Sequence, residues 1–270
     1  MDHFMKKELD LLRKTAPLVH HITNYVTVND CANITLAIGA SPVMADDEGE
    51  AAAMARLASS LVINIGTLNQ RTIPSMMAAG KAANEKGIPV ILDPVGAGAT
   101  PLRTDTARKL METISFAVIR GNLSEILCLA GLGAHTKGVD VSLEDRAMDP
   151  EGAAKTLAEK TGAVTAVTGA VDVITDGKRR AFISNGVPLM GRVTGTGCMC
   201  SSLIGSFCGA DPDHPFEAAA AAVTAMGVLG DIAMEAAGEK GTGSFRAALM
   251  DAASKLTGNE LERRAKYREA

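Results

Sequence analysis

The turn formed by Gly195, Thr196, Gly197 and Cys198 carries the residues with the clearest chemical use in this sequence. The apolar residues 201–207 that follow it predict a helix. Because a helix N-terminus leaves backbone N–H groups unpaired and carries roughly half a positive charge, this turn is a candidate anion site. The same field favours ionisation of the Cys198 thiol, so we expect its pKa to be lowered. An anion site beside a proton acceptor suits phosphoryl transfer; the alternative is a glycine-rich turn before a helix with a buried cysteine.

A second group of polar side chains, residues 120–125, follows a predicted strand and opens a predicted helix. Arg120 lies where a cation can bind phosphate oxygens. Asn122 and Glu125, three positions apart, share one face of the helix, and their oxygens suit a water-clad Mg²⁺. The alternative is a capping box, in which the two residues satisfy the first turn of their own helix. We expect Arg120 and Glu125 to lie at the solvent-facing end of a sheet.

Two other predicted strands also end in polar residues. Asp93 begins a glycine-rich turn, where its carboxylate could order magnesium waters or orient an alcohol, although an ordinary turn aspartate is as good an interpretation. Thr168 precedes Gly169 and could donate a hydrogen bond to a nucleotide, although threonine is common at strand ends.

Some kinds of site are disfavoured by spacing. His20 and His21 are adjacent in a predicted strand, so they point to opposite faces and cannot easily share a metal ion. The 5 cysteines form an odd set without Cys-x-x-Cys spacing, which indicates neither a disulfide framework nor a zinc site. Cys198 and Cys200 diverge on a helix, which disfavours a redox pair.

The composition indicates one soluble domain over residues 1–270, 47% apolar and 21% charged. A formal charge of −4, with no basic tract and 3% aromatic residues, argues against a nucleic-acid partner. The sequence has neither the ~20 apolar residues in a row that a membrane span needs nor a signal-peptide core at its start, so we expect no membrane partner and a cytoplasmic location.

Short β-branched segments alternate with Ala-, Met- and Leu-rich segments, which predicts an α/β fold with a mostly parallel central sheet flanked by helices in three layers. Strands are predicted at 18–22, 41–45, 61–65, 88–92, 116–119, 164–167, 172–175 and 180–184. Helices are predicted at 28–38, 48–59, 73–86, 104–113, 124–129, 151–161, 198–208, 216–236 and 245–256, and a loop at 133–149. Asp176-Gly177 predicts a hairpin turn.

Ligands of such sheets bind at the carboxyl ends of the strands. Polar residues from separate parts of the sequence reach that edge, and their convergence is stronger evidence than any one motif. They are Asn24, Asp46, Gly66-Thr67, Asp93, residues 120–122, Thr168-Gly169 and residues 194–198.

Taken together, these residues resemble the hydroxyethylthiazole kinase family, a thiamine-salvage branch of the ribokinase-like superfamily. The resemblance runs from about residue 17 to residue 256, and its sharpest element is Gly-Thr-Gly-Cys, because most superfamily relatives have Asp where Cys198 stands. The matching motifs are HITNYVT (21–27), GASPVM (39–44), NIGTL (64–68), DPVGAG (93–98), IRGNLSE (119–125) and VTGTGC (193–198).

The resemblance implies a ribokinase-like kinase that transfers the γ-phosphoryl group of ATP to the alcohol of 5-(2-hydroxyethyl)-4-methylthiazole with Mg²⁺. It also implies a homotrimer whose sites lie at subunit interfaces. On the resemblance, Arg120 and Thr168 are ATP contacts, and Asp93 and Glu125 lie on the magnesium side.

The resemblance also implies that Met44 and Gly195 contact the thiazole substrate, with Asn24 beside them. An apolar pocket containing Met44 and Val26 suits a methylated thiazole. The amides of residues 195–198, Gly195 and Gly197 among them, would face the developing charge, and Cys198 could accept the alcohol's proton late in the reaction.

Three alternatives stay open at this point. A related small-alcohol kinase, such as a hydroxymethylpyrimidine kinase, would share the fold and the magnesium side. A thiol-nucleophile transferase would use Cys198 covalently, although no His stands in an evident partnering motif. A catalytically silent nucleotide-binding protein would bind ATP without turnover.

Overall fold

One mixed sheet runs through the computed structural model, which describes residues 4–133 and 149–270. Its nine strands in these ranges are β1 Leu18–Ile22, β2 Ser41–Met44, β3 Ser60–Asn64, β4 Val90–Asp93, β5 Val118–Gly121, β6 Val164–Val167, β7 Asp172–Thr175, β8 Arg180–Ile183 and β9 Tyr267–Glu269. The α-helices are α1 Phe4–Thr15, α2 Val28–Ile38, α3 Ala51–Leu57, α4 Thr72–Lys86, α5 Pro101–Thr113, α6 Leu123–Ala130, α7 Pro150–Thr161, α8 Thr196–Ala210, α9 Pro215–Ala237, α10 Thr242–Lys255 and α11 Gly258–Arg264.

The strands lie in the order β2-β1-β3-β4-β5-β6-β7-β8-β9. The first six are parallel, because helices connect them, and β7 to β9 are antiparallel. The predicted hairpin joins β7 to β8, with Gly177 at φ +89° and the Asp176 side chain accepting the Lys178 N–H at 2.9 Å. The predicted α/β class with a mostly parallel sheet is therefore confirmed.

Helices cover both faces of the sheet and enclose two apolar cores. One core joins α1, α2, α8, α9, α10 and α11 to the sheet, and the other joins α3 to α7. Small residues let α8 approach closely, since a Cβ added to Gly205 would lie 2.4 Å from Val62 of β3. The predicted three layers are therefore confirmed.

The long apolar helix α9 lies inside this fold. The helical segment 215–240 is long and apolar enough to cross a membrane by length and composition, but 83% of its most apolar window is buried against the rest of the protein. Such burial is typical of a core helix.

Both chain ends contain elements that the sequence patterns do not predict. Helix α1 buries Met5, Leu9 and Leu12, a helical spacing that indicates its inward face. The tail from Glu260 onward, which carries no motif, contributes to α11 and then adds β9 to the edge of the sheet beside β8. Within the predicted loop 133–149, residues 134–148 lie outside the described residues, and Asp149 caps α7.

Candidate active site

The Cys198 thiol lies at the start of α8 beneath two side-chain amides. Gly195 precedes the helix at φ +92°, and a Cβ there would lie 2.8 Å from Thr27, so this position requires glycine. Asn24 Nδ2 lies 3.3 Å from Cys198 Sγ and Asn64 Nδ2 lies 3.2 Å from it, and both donate to the sulfur. The structure thus places a polarisable acceptor next to the unpaired amides of the helix.

The expected lowering of the Cys198 pKa is wrong. Burial raises the pKa of this thiol, and the nearby Asp93 carboxylate raises it further, while hydrogen bonds from Thr27 and Asn24 act in the opposite direction. Desolvation disfavours the thiolate here more than its donors favour it. The fold therefore disfavours the thiolate form of Cys198 relative to that of a free thiol.

Asp93, the last residue of β4, is fully buried below this thiol. Its Oδ2 accepts from Asn64 Nδ2 at 2.8 Å and from Ser201 Oγ at 2.8 Å. Arg120 Nη1 lies 3.7 Å from the same oxygen, and Oδ1 has no hydrogen-bond partner among the described residues. Burial raises the pKa of Asp93, and Arg120 opposes the shift. Through Asn64, the carboxylate and the thiol belong to one network.

Arg120, near the end of β5, lies against the first turn of α8. Its guanidinium donates to Thr168 Oγ1, so the two residues that the resemblance assigns to ATP are in contact. A Cβ on Gly197 would lie 2.7 Å from Arg120 Nη1, so the glycine lets the guanidinium lie close to the helix backbone. The arginine therefore adds its charge beside the amides of the helix N-terminus.

Glu125 forms the capping box that the sequence offered as the alternative interpretation. Its Oε2 accepts the Asn122 N–H at 2.9 Å, and Asn122 Oδ1 accepts the Glu125 N–H at 2.9 Å. Its Oε1 accepts the Gly96 N–H at 2.8 Å. Burial first, and then Asp93, raise the pKa of Glu125 to about 7.

The expected solvent-facing position of Arg120 and Glu125 is wrong. The Arg120 side chain is 13% exposed and Glu125 is 4% exposed. Both residues are at the predicted edge of the sheet, but α8 and the loop containing Gly96 cover them. Substitution of either residue therefore affects buried hydrogen bonds as well as any ligand.

Two cavities open at this edge of the sheet. The first, about 190 Å³, contains Met44 and Asn64 in its wall; the second, about 460 Å³, contains Arg120, Thr168 and Gly197. Cys198 lines neither cavity, but its sulfur accepts from Asn64 in the wall of the first, and its neighbour Gly197 lines the second. The N-terminus of α8 thus lies where the two cavities approach each other. The remaining wall of the second cavity is largely apolar and includes Val187, Pro188, Met190, Val223 and Met226.

Of the predicted substrate contacts, Met44 lines the first cavity, whereas Asn24, Val26 and Gly195 line neither cavity. Val26 lies at the surface. It is 55% exposed, and the wall of the first cavity contains its neighbours Tyr25 and Val28 instead. Asn64 and Ser201 are site residues that the sequence reading did not single out individually. Ser201 lies three positions after Cys198, a spacing that places both on one face of a helix and could have revealed it.

The two adjacent histidines of β1 have separate partners within the protein. His20 Nε2 contacts the Ala45 carbonyl at 2.7 Å and His21 Nε2 contacts Thr35 Oγ1 at 3.4 Å, on opposite faces of β1. No cluster of three metal-ligating side chains occurs in ranges 4–133 and 149–270. All five cysteines are free thiols.

Known proteins match this chain along nearly its whole length. A sequence model of the hydroxyethylthiazole kinase family matches residues 9–259. Hydroxyethylthiazole kinase of Ruminiclostridium cellulolyticum is 58% identical over 259 residues, covering 96% of this chain and 94% of that protein. The enzyme of the same name from Clostridium beijerinckii is 54% identical, covering 97% and 95%.

Solved structures agree with the fold. The structure of a hydroxyethylthiazole kinase protein from Pyrococcus horikoshii has a TM-score of 0.88 and 40% identity, covering 99% of both chains. Pyridoxal kinase of Staphylococcus aureus in complex with ADP has a TM-score of 0.58 and 14% identity, covering 80% of this chain and 87% of that one. The second likeness supports the ribokinase-like fold alone.

Proposed function

The chain belongs to the hydroxyethylthiazole kinase family, and we propose that it transfers the γ-phosphoryl group of ATP to the hydroxyl of 5-(2-hydroxyethyl)-4-methylthiazole at the N-terminus of α8. A kinase of thiamine salvage needs an alcohol pocket and a nucleotide pocket that meet at one anion site. The observation that carries this assignment is the link between the two cavity walls, in which Asn64 of the first cavity donates to Cys198 and the adjacent Gly197 lines the second.

The proposal divides the site into two halves. In the wall of the first cavity, Met44 offers an apolar contact for the thiazole. Asn24 and Asn64 hold the thiol, and Gly195, the second proposed thiazole contact, immediately precedes α8. Val26 is exposed outside the cavity wall, so it would contact the thiazole only at the protein surface. In the second cavity, Arg120 and Thr168 would bind the phosphates of ATP, and the apolar wall would take the base.

Asp93 and Glu125 fit a magnesium ion held through water. Asp93 Oδ1 is buried and unpaired among the described residues, which suits it to order a ligand water. Each Glu125 oxygen already accepts one backbone N–H and keeps a second acceptor position. Mg²⁺ usually retains several waters and takes only one or two carboxylates besides phosphate, and when bound it would neutralise phosphate charge. We expect chelation to abolish turnover and added Mg²⁺ to restore it.

The chemistry asks the protein mainly for position and charge. The alcohol oxygen bonds to the γ-phosphorus, the bond from that phosphorus to its bridging oxygen breaks, and ADP leaves with the electron pair. Arg120 and the amides of Gly197 and Cys198 stabilise charge on the transferred group. The hydroxyl proton passes late to Cys198 Sγ, in the fraction of molecules whose thiol is ionised.

One assay tests this function directly. With MgATP, ADP should form only when hydroxyethylthiazole is present, and mass spectrometry should find the thiazole heavier by one phosphoryl group. Hydroxymethylpyrimidine, the substrate of the related kinases, serves as the matched alcohol and should react far more slowly. If no phosphorylated thiazole forms at any protein concentration, the proposal is wrong.

We also propose a homotrimer of single-domain subunits, each comprising residues 1–270, with the thiazole half completed by a second subunit. Tyr25 and Val26 are large exposed residues at the first cavity, whose wall contains Tyr25. Leu36 is exposed on α2, about two turns beyond Val28 of the same wall. Apolar side chains grouped beside a ligand cavity favour burial by a partner. The five free thiols suit a reducing compartment, so the cytoplasm is the proposed location.

A further inference from the structure

The side chain of Arg103 holds together two loops at the carboxyl ends of neighbouring strands. Its Nη1 donates to the Ile65 carbonyl at 3.0 Å and also to the Val95 carbonyl, and its Nη2 donates to the Gly66 carbonyl. Ile65 and Gly66 follow β3, and Val95 follows β4. A planar guanidinium can reach several acceptors at fixed angles, which a lysine ammonium cannot reproduce.

The loop after β3 holds the thiol half of the site. The Gly66 N–H donates to Asn64 Oδ1 at 2.9 Å, and Asn64 donates to Cys198 Sγ. A Cβ on Gly66 would lie 2.8 Å from Asn24, the other donor to that sulfur. The Gly66 peptide is therefore hydrogen-bonded to one of the amides that hold Cys198 and packs closely against the other.

The loop after β4 holds the phosphate half. The Gly96 N–H donates to Glu125 Oε1 at 2.8 Å. Gly96 adopts φ +75°, and a Cβ there would lie 3.0 Å from Arg103 Cδ. Thr104, next to Arg103, accepts the Gly98 N–H at 2.9 Å. The start of α5 thus fixes this loop through two successive residues.

We infer that Arg103 is a positioning residue that sets the distance between the alcohol-binding half and the phosphate-binding half of the site. It contacts neither the thiol nor the carboxylates, and it acts on both through the two loops. The inference rests on the proposed function, because only a transfer between the halves depends on their spacing. A displacement of about 1 Å at reacting atoms can cost roughly 10²-fold in rate.

The test compares Arg103→Ala and Arg103→Lys with Arg13→Ala. Arg13 is a matched control, since it also donates to backbone carbonyls, those of Ile38 and Ala253 at 3.2 Å each, away from both cavities. We expect Arg103→Ala to lower kcat by about 10- to 100-fold, with KM for MgATP little changed. Arg103→Lys should fall between it and the wild type, and Arg13→Ala should keep the wild-type kcat.

Two further readouts separate positioning from general loosening. Added guanidinium ion should restore part of the kcat of Arg103→Ala. Hydrogen exchange, which needs no substrate, should quicken together in peptides 65–69 and 95–99 of both Arg103 variants and in neither peptide of Arg13→Ala. If Arg103→Ala does not fold, the kcat and the hydrogen exchange of Arg103→Lys are compared with those of Arg13→Ala instead.

The outcomes distinguish the inference from the function on which it rests. Wild-type protein that makes no phosphorylated thiazole refutes the proposed function. An active wild type whose folded Arg103 variants keep its kcat, or lose no more than Arg13→Ala loses, refutes the positioning inference alone. Exchange that quickens in only one of the two peptides also refutes it.

Discussion

At Cys198, the balance between burial and two amide donors decides how readily the site accepts a proton. Replacement by Asp should keep the enzyme active, because a carboxylate can accept from Asn24 and Asn64 and ionises far more easily than a thiol. Replacement by Ala should retain ATP binding and lose part of the ~10²–10⁴-fold that proton transfer typically contributes. Steady-state kinetics and calorimetry with ATP would measure the two effects.

The pH dependence of the same variants gives the control. Burial raises the pKa of the Cys198 thiol above its ordinary value of 9.0, so the proton-accepting form grows with pH through the neutral and alkaline range. Wild-type kcat should therefore rise with pH beyond 9, and Cys198→Asp should reach its plateau at lower pH. An Asp variant that folds, binds ATP and is as slow as the Ala variant would refute the proton-accepting role.

Arg120 and Glu125 are proposed to act on the ligands, and both also make buried contacts within the protein. Arg120→Ala leaves the buried Asp93 carboxylate without its cation, and Glu125→Ala leaves the Gly96 and Asn122 amides without their acceptor. We expect turnover to fall strongly in both, with a stability loss of about 1–3 kcal/mol for each buried group left unpaired. Normal kinetics in a folded variant would remove that residue from the proposed phosphate and magnesium half.

At the scale of elements, the close approach of α8 to β3 fixes where the helix N-terminus lies. Gly205→Ala would bring a Cβ to 2.4 Å from Val62, and overpacking of this kind typically costs about 1–3 kcal/mol. Thermal or chemical unfolding should show that loss, and Val62→Ala in the same chain should relieve part of it. Additive losses in the double variant would show that the two residues do not oppose each other.

The elements also explain which parts of the site could be predicted from sequence. The sequence predicts that Asp93, Arg120 and Thr168 lie together, because parallel strands end at one edge of a sheet. The bond from Asn64 to Cys198 and the burial of Glu125 depend on the rotation of α8 and the path of a loop, which strand and helix periodicity does not determine. Likewise α11 and β9 are short elements that depend on α1, α9 and β8 as partners.

At the scale of the whole molecule, the pKa of Cys198 also depends on features that local sequence does not determine. A helix N-terminus alone predicts a lowered thiol pKa, but the fold buries the sulfur and places Asp93 nearby, and these two effects prevail. The effect of the helix N-terminus on the thiol pKa can be predicted from local sequence. The burial that opposes this effect arises only when the helices and the sheet pack together.

Assembly of the molecule yields the last prediction. Leu36 lies on α2, about two turns beyond Val28 of the first cavity, and is 58% exposed. Leu57 on α3 is 70% exposed and serves as the matched control. Sedimentation should find wild-type trimers. Leu36→Glu would place a charge in the proposed interface, where an unpaired buried charge is strongly disfavoured, so it should dissociate the trimer and raise KM for the thiazole. Binding of ATP in the second cavity should persist, since that cavity lies within one subunit, and Leu57→Glu should alter neither assembly nor KM. A wild-type monomer with full activity would refute the shared site, because each subunit would then bind the thiazole without a partner.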